Sequence, residues 1–468
     1  MYHRDQHVHF IGIGGVGMAG IAEVLLNLGY SVGGSDLKST PLTNHLVSLG
    51  ASINFSHDAT NLKPNTSVVV VSSAVNEANT EVIEARKRGI PIIPRAAMLS
   101  ELMRMKYGIA VAGSHGKTST TSMIGHILKE CGLDPTVIVG GRILSGLSGA
   151  KIGAGQYLVA EADESDGSFC LLRPAISIIT NIDAEHLSFY GSMGKLEDTF
   201  LEFAKAVPFY GLCAICVDDP LLRNLANKLD RRVVKYGFSP DAEFSATEVE
   251  ISRGSSTYTL IRNGEKIGRV HLPLPGNHFV LNSLAVLAVA YELRIPLNQA
   301  CSALTSFPGV SRRSEQLYRD RDYLVLDDYG HHPTEINATL KAVRESWLGQ
   351  GYNRVLAIFQ PHRYSRTREL FTEFLSCFSC ADEVIITDVY AAGEQVIEGI
   401  SGELLAQAIN HPKVSYVASQ PDFVSEVLGK YIQPGDVVIT LGAGSITHTG
   451  HTLAANIGEK RVLALGKN

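Results

Sequence analysis

Short apolar stretches alternate with longer segments of mixed apolar and polar residues along the chain. The first stretch, residues 8–11, runs into glycines, and the segment after these glycines has the residue spacing of a helix. The same alternation returns at residues 67–93, 109–130 and 323–441. Buried parallel strands read as continuous apolar runs, and the helices that connect them read as amphipathic segments. The order therefore predicts α/β domains with parallel sheets.

Two segments interrupt this alternation. Residues 243–272 alternate Thr, Tyr and Ile with polar residues around Arg262-Asn-Gly-Glu265, which predicts a β-hairpin. Residues 307–313 read as a linker. In the α/β pattern that follows this linker, one helix is predicted at Arg366–Ser379. A chain of 468 residues is long enough for about three domains. We place them at residues 1–97, 98–310 and 311–468.

The first apolar stretch leads into a glycine pattern. Gly12, Gly14 and Gly17 have the G-x-G-x-x-G spacing, and Asp36 comes 19 residues after the last glycine. This pattern is typical of dinucleotide-binding folds and favours NAD when it is taken alone. The glycines report only that a backbone approaches its neighbour closely, so any diphosphate-sugar ligand would satisfy them equally.

The central chemical feature is the segment Ile109–Met123, an apolar strand that turns directly into a helix. Its turn, Gly113-Ser-His-Gly-Lys-Thr118, would direct backbone N–H groups and a helix N-terminus at a polyphosphate. Lys117 could neutralise the terminal phosphates, and the Thr118 hydroxyl could bind Mg²⁺. The general motif has four residues between its glycines, whereas this turn has two. A plain helix N-terminus is the alternative.

Two further apolar strands end in polar clusters. Glu161-Ala-Asp-Glu-Ser-Asp comes after one strand, and Asn181-Ile-Asp-Ala-Glu-His comes after the next. The carboxyl ends of parallel strands are where metal and nucleotide ligands sit in open α/β sheets. Either cluster alone could be a solvated loop. The presence of both clusters beside a phosphate loop favours a site for metal and nucleotide.

Composition narrows the class of protein. The net charge of −6 argues against nucleic acid as a main partner, because neutralising phosphates requires a basic face. No apolar run is long enough for a membrane span, and the first residues lack a signal-peptide core, so we expect a cytoplasmic protein without a membrane partner. Seven cysteines agree with a reducing compartment. Two Cys-x-x-Cys pairs, at 213–216 and 377–380, give little support to a zinc or redox site.

The chain resembles the Mur ligase family over essentially its whole length. Seven ordered motifs carry the resemblance: Gly12-Ile-Gly-Gly-Val-Gly-Met-Ala-Gly, Gly113-Ser-His-Gly-Lys-Thr, Glu161-Ala-Asp-Glu-Ser-Asp, Thr180-Asn-Ile-Asp-Ala-Glu-His, Pro275-Gly-Asn-His, Asp327-Asp-Tyr-Gly-His-His-Pro-Thr-Glu and Gln360-Pro-His-Arg-Tyr-Ser-Arg-Thr. The shortened phosphate loop is normal in this family. The resemblance implies an N-terminal Rossmann-like UDP-binding domain, a central P-loop ATPase domain and a C-terminal doubly wound domain.

The resemblance also implies a reaction. An ATP-dependent ligase would join L-alanine to the lactyl carboxylate of UDP-N-acetylmuramate through an acyl phosphate, as an early step of peptidoglycan precursor synthesis. Lys117, His115, His186 and Arg363 would be catalytic. Thr118, Glu161 and His186 would bind Mg²⁺. ATP would contact Ala112, Gly113, Ser114, His115, Gly116, Lys117, Thr118, Asn181, Asn277, Asn282, Arg313 and Asp328.

The other two substrates are assigned by the same resemblance. The UDP-sugar would contact Gly14, Gly15, Gly17, Asp36, Ser72, Ser73 and Arg95. L-Alanine would contact Tyr329, His331, His362, Arg363 and Arg366. Two arginines suit a carboxylate, which a guanidinium can bind through two hydrogen bonds. The alternative is that residues 331–333 only start a helix and that the two arginines form a solvated face.

Other functions stay open at this point. An NAD-dependent oxidoreductase would explain the first glycine pattern but leaves Lys117 and the acidic strand ends without a role. A ligase that attaches a recycled tripeptide to the same sugar nucleotide would be expected to differ at residues 360–366. A noncatalytic nucleotide-binding module would release no phosphate. The full ligand set of a second Mg²⁺ and the choice between monomer and homodimer are also open.

Overall fold

A computed structural model describes residues 6–72, 74–140 and 149–465 of the chain. The chain forms two compact units. The first consists of Met1–Thr247, Thr259–Val270 and Leu281–Pro308, and the second consists of Glu248–Tyr258, His271–Val280 and Gly309–Asn468.

The N-terminal part of the first unit is a parallel sheet with strand order β3-β2-β1-β4-β5. Its strands are β1 (His7–Ile11), β2 (Ser31–Ser35), β3 (Ser52–Asn54), β4 (Thr66–Val71) and β5 (Ile92–Pro94). Its helices are α1 (Val16–Asn27), α2 (Pro41–Ser48), α3 (Thr80–Lys87) and α4 (Arg95–Met105). The strand order reverses on either side of β1. The glycine turn after β1 therefore lies at a topological switch point, where such sheets bind ligands.

The central sheet has the order β15-β14-β13-β12-β11-β10-β6-β9-β7-β8. Its strands are β6 (Tyr107–Ala112), β7 (Thr136–Ile138), β8 (Ala150–Lys151), β9 (Tyr157–Glu161), β10 (Ile176–Ile179), β11 (Leu212–Cys216), β12 (Val233–Tyr236), β13 (Phe244–Ser252), β14 (Ser255–Arg262) and β15 (Glu265–Leu272). The helices in this part of the chain are α5 (Lys117–Glu130), α6 (Leu187–Tyr190), α7 (Met193–Lys205), α8 (Pro220–Lys228), α9 (Asn277–Glu292) and α10 (Leu297–Thr305).

Two details of this sheet confirm the sequence prediction. Strand β6 lies between β9 and β10 and is parallel to both, so the two polar clusters leave the sheet on either side of the phosphate loop. Strands β14 and β15 form the predicted hairpin. Its turn residues Asn263 and Gly264 have positive φ values of 49° and 81°, which a tight two-residue turn requires.

The second unit contains the sheet β16-β17-β21-β18-β19-β20, in which β16 is antiparallel and the other pairs are parallel. Its strands are β16 (Glu315–Arg319), β17 (Tyr323–Asp328), β18 (Arg354–Phe359), β19 (Glu383–Ile386), β20 (Val414–Tyr416) and β21 (Asp436–Leu441). Its helices are α11 (Pro333–Trp347), α12 (Tyr364–Glu369), α13 (Phe371–Phe374), α14 (Gly402–Ala408), α15 (Phe423–Lys430) and α16 (Ile446–Leu465). Buried Leu, Ile, Val and Phe side chains cover both faces of its central strands.

One helix prediction is wrong in its bounds. The single helix expected at Arg366–Ser379 begins earlier, at Tyr364, and is interrupted at Leu370, so that α12 and α13 are two short helices.

The cysteines are all free thiols, and burial raises the pKa of Cys213 to about 12. Among the described residues, the structure contains no helix that is both long and apolar enough to cross a bilayer.

Candidate functional site

The loop between β6 and α5 requires glycine at both ends. Gly113 has a φ of +130°, and a Cβ there would overlap the hydroxyl oxygen of Thr180. Gly116 has a φ of +82°, and a Cβ there would lie 2.8 Å from the carboxamide oxygen of Asn282. Other residues rarely adopt these conformations and would also clash. The two glycines are therefore fixed by the neighbouring chain segments.

The polar residues after β10 hold this loop in place. The Asn181 carboxamide accepts a hydrogen bond from the His115 N–H at 2.8 Å and donates one to the His115 carbonyl at 3.1 Å. The Asp183 N–H donates to the Ser114 hydroxyl at 2.8 Å, and the Asp183 carboxylate lies 2.9 Å from His115 Nε2. In this structure Asn181 thus shapes the loop, and its predicted phosphate contact stays a prediction.

Lys117 lies beneath the loop with its side chain 14% exposed. Its ammonium group donates to the Gly113 carbonyl at 2.6 Å and the Ser114 carbonyl at 3.0 Å, and it lies 2.7 Å from a carboxylate oxygen of Glu164. Burial alone would lower the pKa of Lys117, but the carboxylates of Glu164 and Glu161 outweigh it and raise that pKa. The site therefore contains a permanent, preorganised cation.

Glu164 forms an ion pair with Lys117. Its side chain is 2% exposed, and burial raises its pKa to about 7 although Lys117 acts in the opposite direction. The carboxyl group is thus the member of the pair that titrates near neutral pH. Sequence reasoning included Glu164 in an acidic cluster but gave it no role of its own.

The side chains around Lys117 offer two groups of metal donors. Thr118 Oγ1 donates to Glu161 at 3.0 Å, and the Gly140 N–H donates to the same carboxylate oxygen at 2.8 Å. The ligand atoms of Glu164, Glu185 and His186 lie within 4.8 Å of one another. Carboxylate and hydroxyl oxygens are the donors that Mg²⁺ prefers, so Thr118, Glu161, Glu164 and Glu185 suit this ion, whereas the His186 imidazole is a less usual ligand for it.

The predicted UDP-sugar residues of the first glycine turn lie together. The Asp36 carboxylate accepts the Gly14 N–H at 2.7 Å, and a Cβ on Gly14 would lie 2.8 Å from the same carboxylate. Gly15 caps the N-terminus of α1, and the Ser72 hydroxyl lies 3.1 Å from the position of a Cβ on Gly12. Asp36 therefore supports the turn, and its contact with a nucleoside stays a prediction.

Arg95 lies on the other side of this turn. A Cβ on Gly17 would lie 2.6 Å from the Arg95 guanidinium, which in turn lies 3.3 Å from the Asp163 carboxylate. The Arg95 side chain thus packs directly on Gly17. Asp163 belongs to the acidic cluster after β9, so this contact connects the two predicted sites of the first unit. Ser73, also predicted to bind the sugar nucleotide, lies outside the described residues.

In the second unit, Asp328 is a buried carboxylate at the end of β17. It accepts the N–H groups of Ser314 at 2.7 Å and Gly330 at 2.8 Å. Burial raises the pKa of Asp328 to about 6, and Arg313 opposes this rise. Asn277, at the start of α9, belongs to the second unit, and Asn282 belongs to the first. Their shared contact with ATP stays a prediction.

The residues predicted to bind the amino acid form a cluster in the second unit. The rings of Tyr329 and His331 are 5.4 Å apart, and those of His331 and His362 are 6.2 Å apart. Arg366 lies 3.5 Å from His362 Nδ1. Burial, His331 and Arg366 lower the pKa of His362 to about 4. The cluster therefore combines a neutral imidazole with a guanidinium beside it.

Comparisons with known proteins show which family the chain is similar to. Three segments match Mur ligase descriptions: the family's catalytic domain at residues 7–107, the Mur ligase middle domain at 111–290, and the Mur ligase, glutamate ligase domain at 312–444. UDP-N-acetylmuramate–L-alanine ligases from Syntrophotalea carbinolica and Geobacter sulfurreducens are 50% and 48% identical, over 97% and 98% of this chain and 98% and 100% of the relatives.

A solved structure of a related ligase is also similar to this chain. The UDP-N-acetylmuramate-alanine ligase from Thermotoga maritima superposes with a TM-score of 0.78 at 29% identity, over 97% of this chain and 99% of that one. The predicted three-domain α/β architecture is confirmed, whereas the boundaries at residues 97 and 310 stay predictions. With three consecutive family segments along its length, the chain belongs to the Mur ligase family.

Proposed function

We propose that the chain is an ATP-dependent ligase that joins L-alanine to the lactyl carboxylate of UDP-N-acetylmuramate and forms ADP and phosphate. The observation that carries this proposal is the 50% identity, over 97% of the chain, to a relative named for this reaction. The phosphate loop supports it independently, because a lysine held at the loop by a carboxylate is suited to phosphoryl transfer.

The reaction has two steps. The lactyl carboxylate attacks the γ-phosphorus, the bond to ADP breaks, and an acyl phosphate forms. The amine of alanine then attacks the acyl carbon, phosphate leaves, and the nitrogen loses a proton. The first step brings two anions together, so a fixed cation contributes more than a covalent group. We assign that role to Lys117, which Glu164 keeps charged and in place.

The donor groups define where Mg²⁺ would bind. Thr118 and Glu161 would hold one ion, and His186 with Glu164 and Glu185 would hold a second. When bound, Mg²⁺ neutralises charge on the triphosphate and polarises the γ-phosphoryl group. We also assign His115 a contact with the acyl phosphate, because Asp183 holds its imidazole at the phosphate loop.

The remaining substrates would bind at the other two clusters of predicted residues. The UDP-sugar would bind at the glycine turn of Gly14, Gly15 and Gly17 with Asp36 and Arg95. L-Alanine would bind at the His331–His362 cluster, where Arg363 and Arg366 could pair with its carboxylate. Because the reaction consumes ATP, we place it in the cytoplasm.

Phosphate release tests the proposal. The purified chain is assayed with ATP, Mg²⁺ and UDP-N-acetylmuramate, and each reaction contains one amino acid or the recycled tripeptide. We expect phosphate release with L-alanine at a kcat/KM well above that with the tripeptide. A preference for the tripeptide would support the recycling ligase. NADH binding without ATP turnover would support an oxidoreductase, and no phosphate release with any acceptor would refute a ligase.

A further inference from the structure

The connection after β19 contacts the start of α12, where the proposed alanine-binding residues lie. Residues 390–394, which we call the 390–394 turn, belong to this connection. The Glu394 N–H donates to the Ala391 carbonyl at 3.0 Å, and Ala392 and Gly393 have positive φ values of 49° and 87°. The turn therefore reverses the chain and brings Glu394 back toward α12. None of its residues was assigned a role from the sequence.

Backbone hydrogen bonds tie this turn to the chain just before α12. The Arg363 N–H donates to the Tyr390 carbonyl at 2.8 Å, and the Tyr390 N–H donates to the Pro361 carbonyl at 2.8 Å. Arg363 has φ 68° and ψ 137°, which residues other than glycine rarely adopt. Such a conformation persists only when its surroundings hold it. The bond to Tyr390 is one of these restraints.

Side chains make a second set of contacts. The rings of Tyr390 and His362 are stacked, with centroids 5.5 Å apart and planes inclined by 14°. The Arg366 guanidinium lies 3.5 Å from Nδ1 of the same His362 ring. Tyr390 also packs closely on the loop after β21, because a Cβ on Gly444 would lie 2.7 Å from the tyrosine ring. Tyr390, which is 40% exposed, thus packs against both His362 and the loop at Gly444.

Glu394 fixes the first turn of α12. One of its carboxylate oxygens accepts the Ser365 hydroxyl at 2.6 Å, and the other accepts the Ser365 N–H at 3.0 Å. Burial would raise the pKa of Glu394, but the hydrogen bonds from Ser365 and the charge of Arg363 lower it, so the carboxylate is ionised at neutral pH. An anion bound at this point restrains the orientation of the helix that carries Arg366.

We infer that Tyr390 and Glu394 are positioning residues for the amino-acid substrate, which act by holding His362, Arg363 and Arg366 in one arrangement. The inference rests on the proposed function, because it assigns L-alanine to this cluster. Displacing a binding group by about 1 Å is enough to lower catalysis about 100-fold. Loss of the 390–394 contacts should therefore affect alanine and leave the other two substrates nearly unchanged.

Steady-state kinetics with each substrate varied in turn tests this inference on the full chain. For Tyr390→Ala we expect the KM for L-alanine to rise about tenfold or more, with the KM values for ATP and UDP-N-acetylmuramate within about threefold of the parent. Tyr390→Phe keeps the ring and should stay close to the parent. Glu394→Gln should raise the alanine KM, whereas Glu398→Gln, the same change at an exposed position of the same connection, should not.

Each outcome decides between defined alternatives. Equal increases for all three substrates would mean general damage and would overturn the inference, as would an unchanged alanine KM in both Tyr390→Ala and Glu394→Gln. If Tyr390→Ala does not fold, the comparison of Glu394→Gln with Glu398→Gln decides. If the parent chain itself shows no alanine-dependent phosphate release, the proposed function fails first, and the inference fails with it. Failure of the inference alone leaves the parent activity intact.

Discussion

Replacing Lys117 by alanine should separate the catalytic role of the lysine from its structural role. The substitution removes a cation that lies 2.7 Å from Glu164 and donates to two carbonyl groups. For catalysis, losing a preorganised cation at a transferring phosphate costs about 3 to 4 kcal/mol, or about 100- to 1000-fold in rate. For stability, the loss leaves Glu164 buried without its counter-charge, which is destabilising.

The structural part has a distinct pH signature. Burial raises the pKa of Glu164 from 4.5 to about 7 in the parent. An acid with a raised pKa in the folded state is stabilising in its protonated form, so the free energy of unfolding falls as pH rises between these values. The fall amounts to about 3 kcal/mol and ends near the pKa of the folded state. Without Lys117 that pKa is higher still, so stability should continue to fall above pH 7, by at most about 1.4 kcal/mol per pH unit.

Urea unfolding at several pH values measures this effect. The free energy of unfolding is plotted against pH for each variant. The difference between the parent and Glu164→Gln gives the contribution of the Glu164 carboxyl group when Lys117 is present. The difference between Lys117→Ala and Lys117→Ala/Glu164→Gln gives the same contribution without Lys117. We expect the double variant to regain stability and to remain inactive. Recovery of the rate in the double variant would show that Lys117 acts only through Glu164. If the free energy of unfolding depends on pH identically in Lys117→Ala and in the double variant, the proposed stabilisation of Glu164 by Lys117 is refuted.

Three other substitutions test separate parts of the molecule. Glu161→Gln removes an anionic ligand and should raise the Mg²⁺ concentration for half-maximal rate strongly, so an unchanged Mg²⁺ titration would exclude this ligand. Arg366→Lys should raise the KM for alanine about 10- to 200-fold, and an effect confined to ATP would move Arg366 to the nucleotide. Glu81→Ala removes the buried acceptor of His9, Ser35 and Asn61 and should cost about 3 kcal/mol in urea unfolding; a cost below about 1 kcal/mol would contradict this role.

The strand, turn and helix units that carry the sites could be predicted from the sequence. Apolar runs that end in glycine or polar residues indicated β1 with its glycine turn, β6 with its phosphate loop, and the polar ends of β9 and β10. These signals are local, since one run of residues determines both the strand and the turn at its end. The polar ends of β9 and β10 also lie beside the phosphate loop as expected, because β6 pairs with both strands.

Features that depend on distant contacts were missed. Strand β16 is recognised only through its antiparallel pairing with β17, and its half-exposed residues give no apolar run. The break between α12 and α13 was missed because the helical pattern continues across Leu370. Glu164 and Glu185 were not singled out because their approach to His186 depends on the strand order β10-β6-β9, which the sequence does not give.

The short phosphate loop shows how such long-range contacts replace local ones. A loop with two residues between its glycines has fewer backbone groups to hold its own shape than one with four. Here the end of the neighbouring strand supplies the missing bonds: Thr180 donates to the His115 carbonyl at 2.5 Å, and Asn181 bonds both backbone groups of His115. The loop and the Thr-Asn pair therefore form one structural element, so the departure from the general spacing is explained by residues 65 and 66 positions further along the chain.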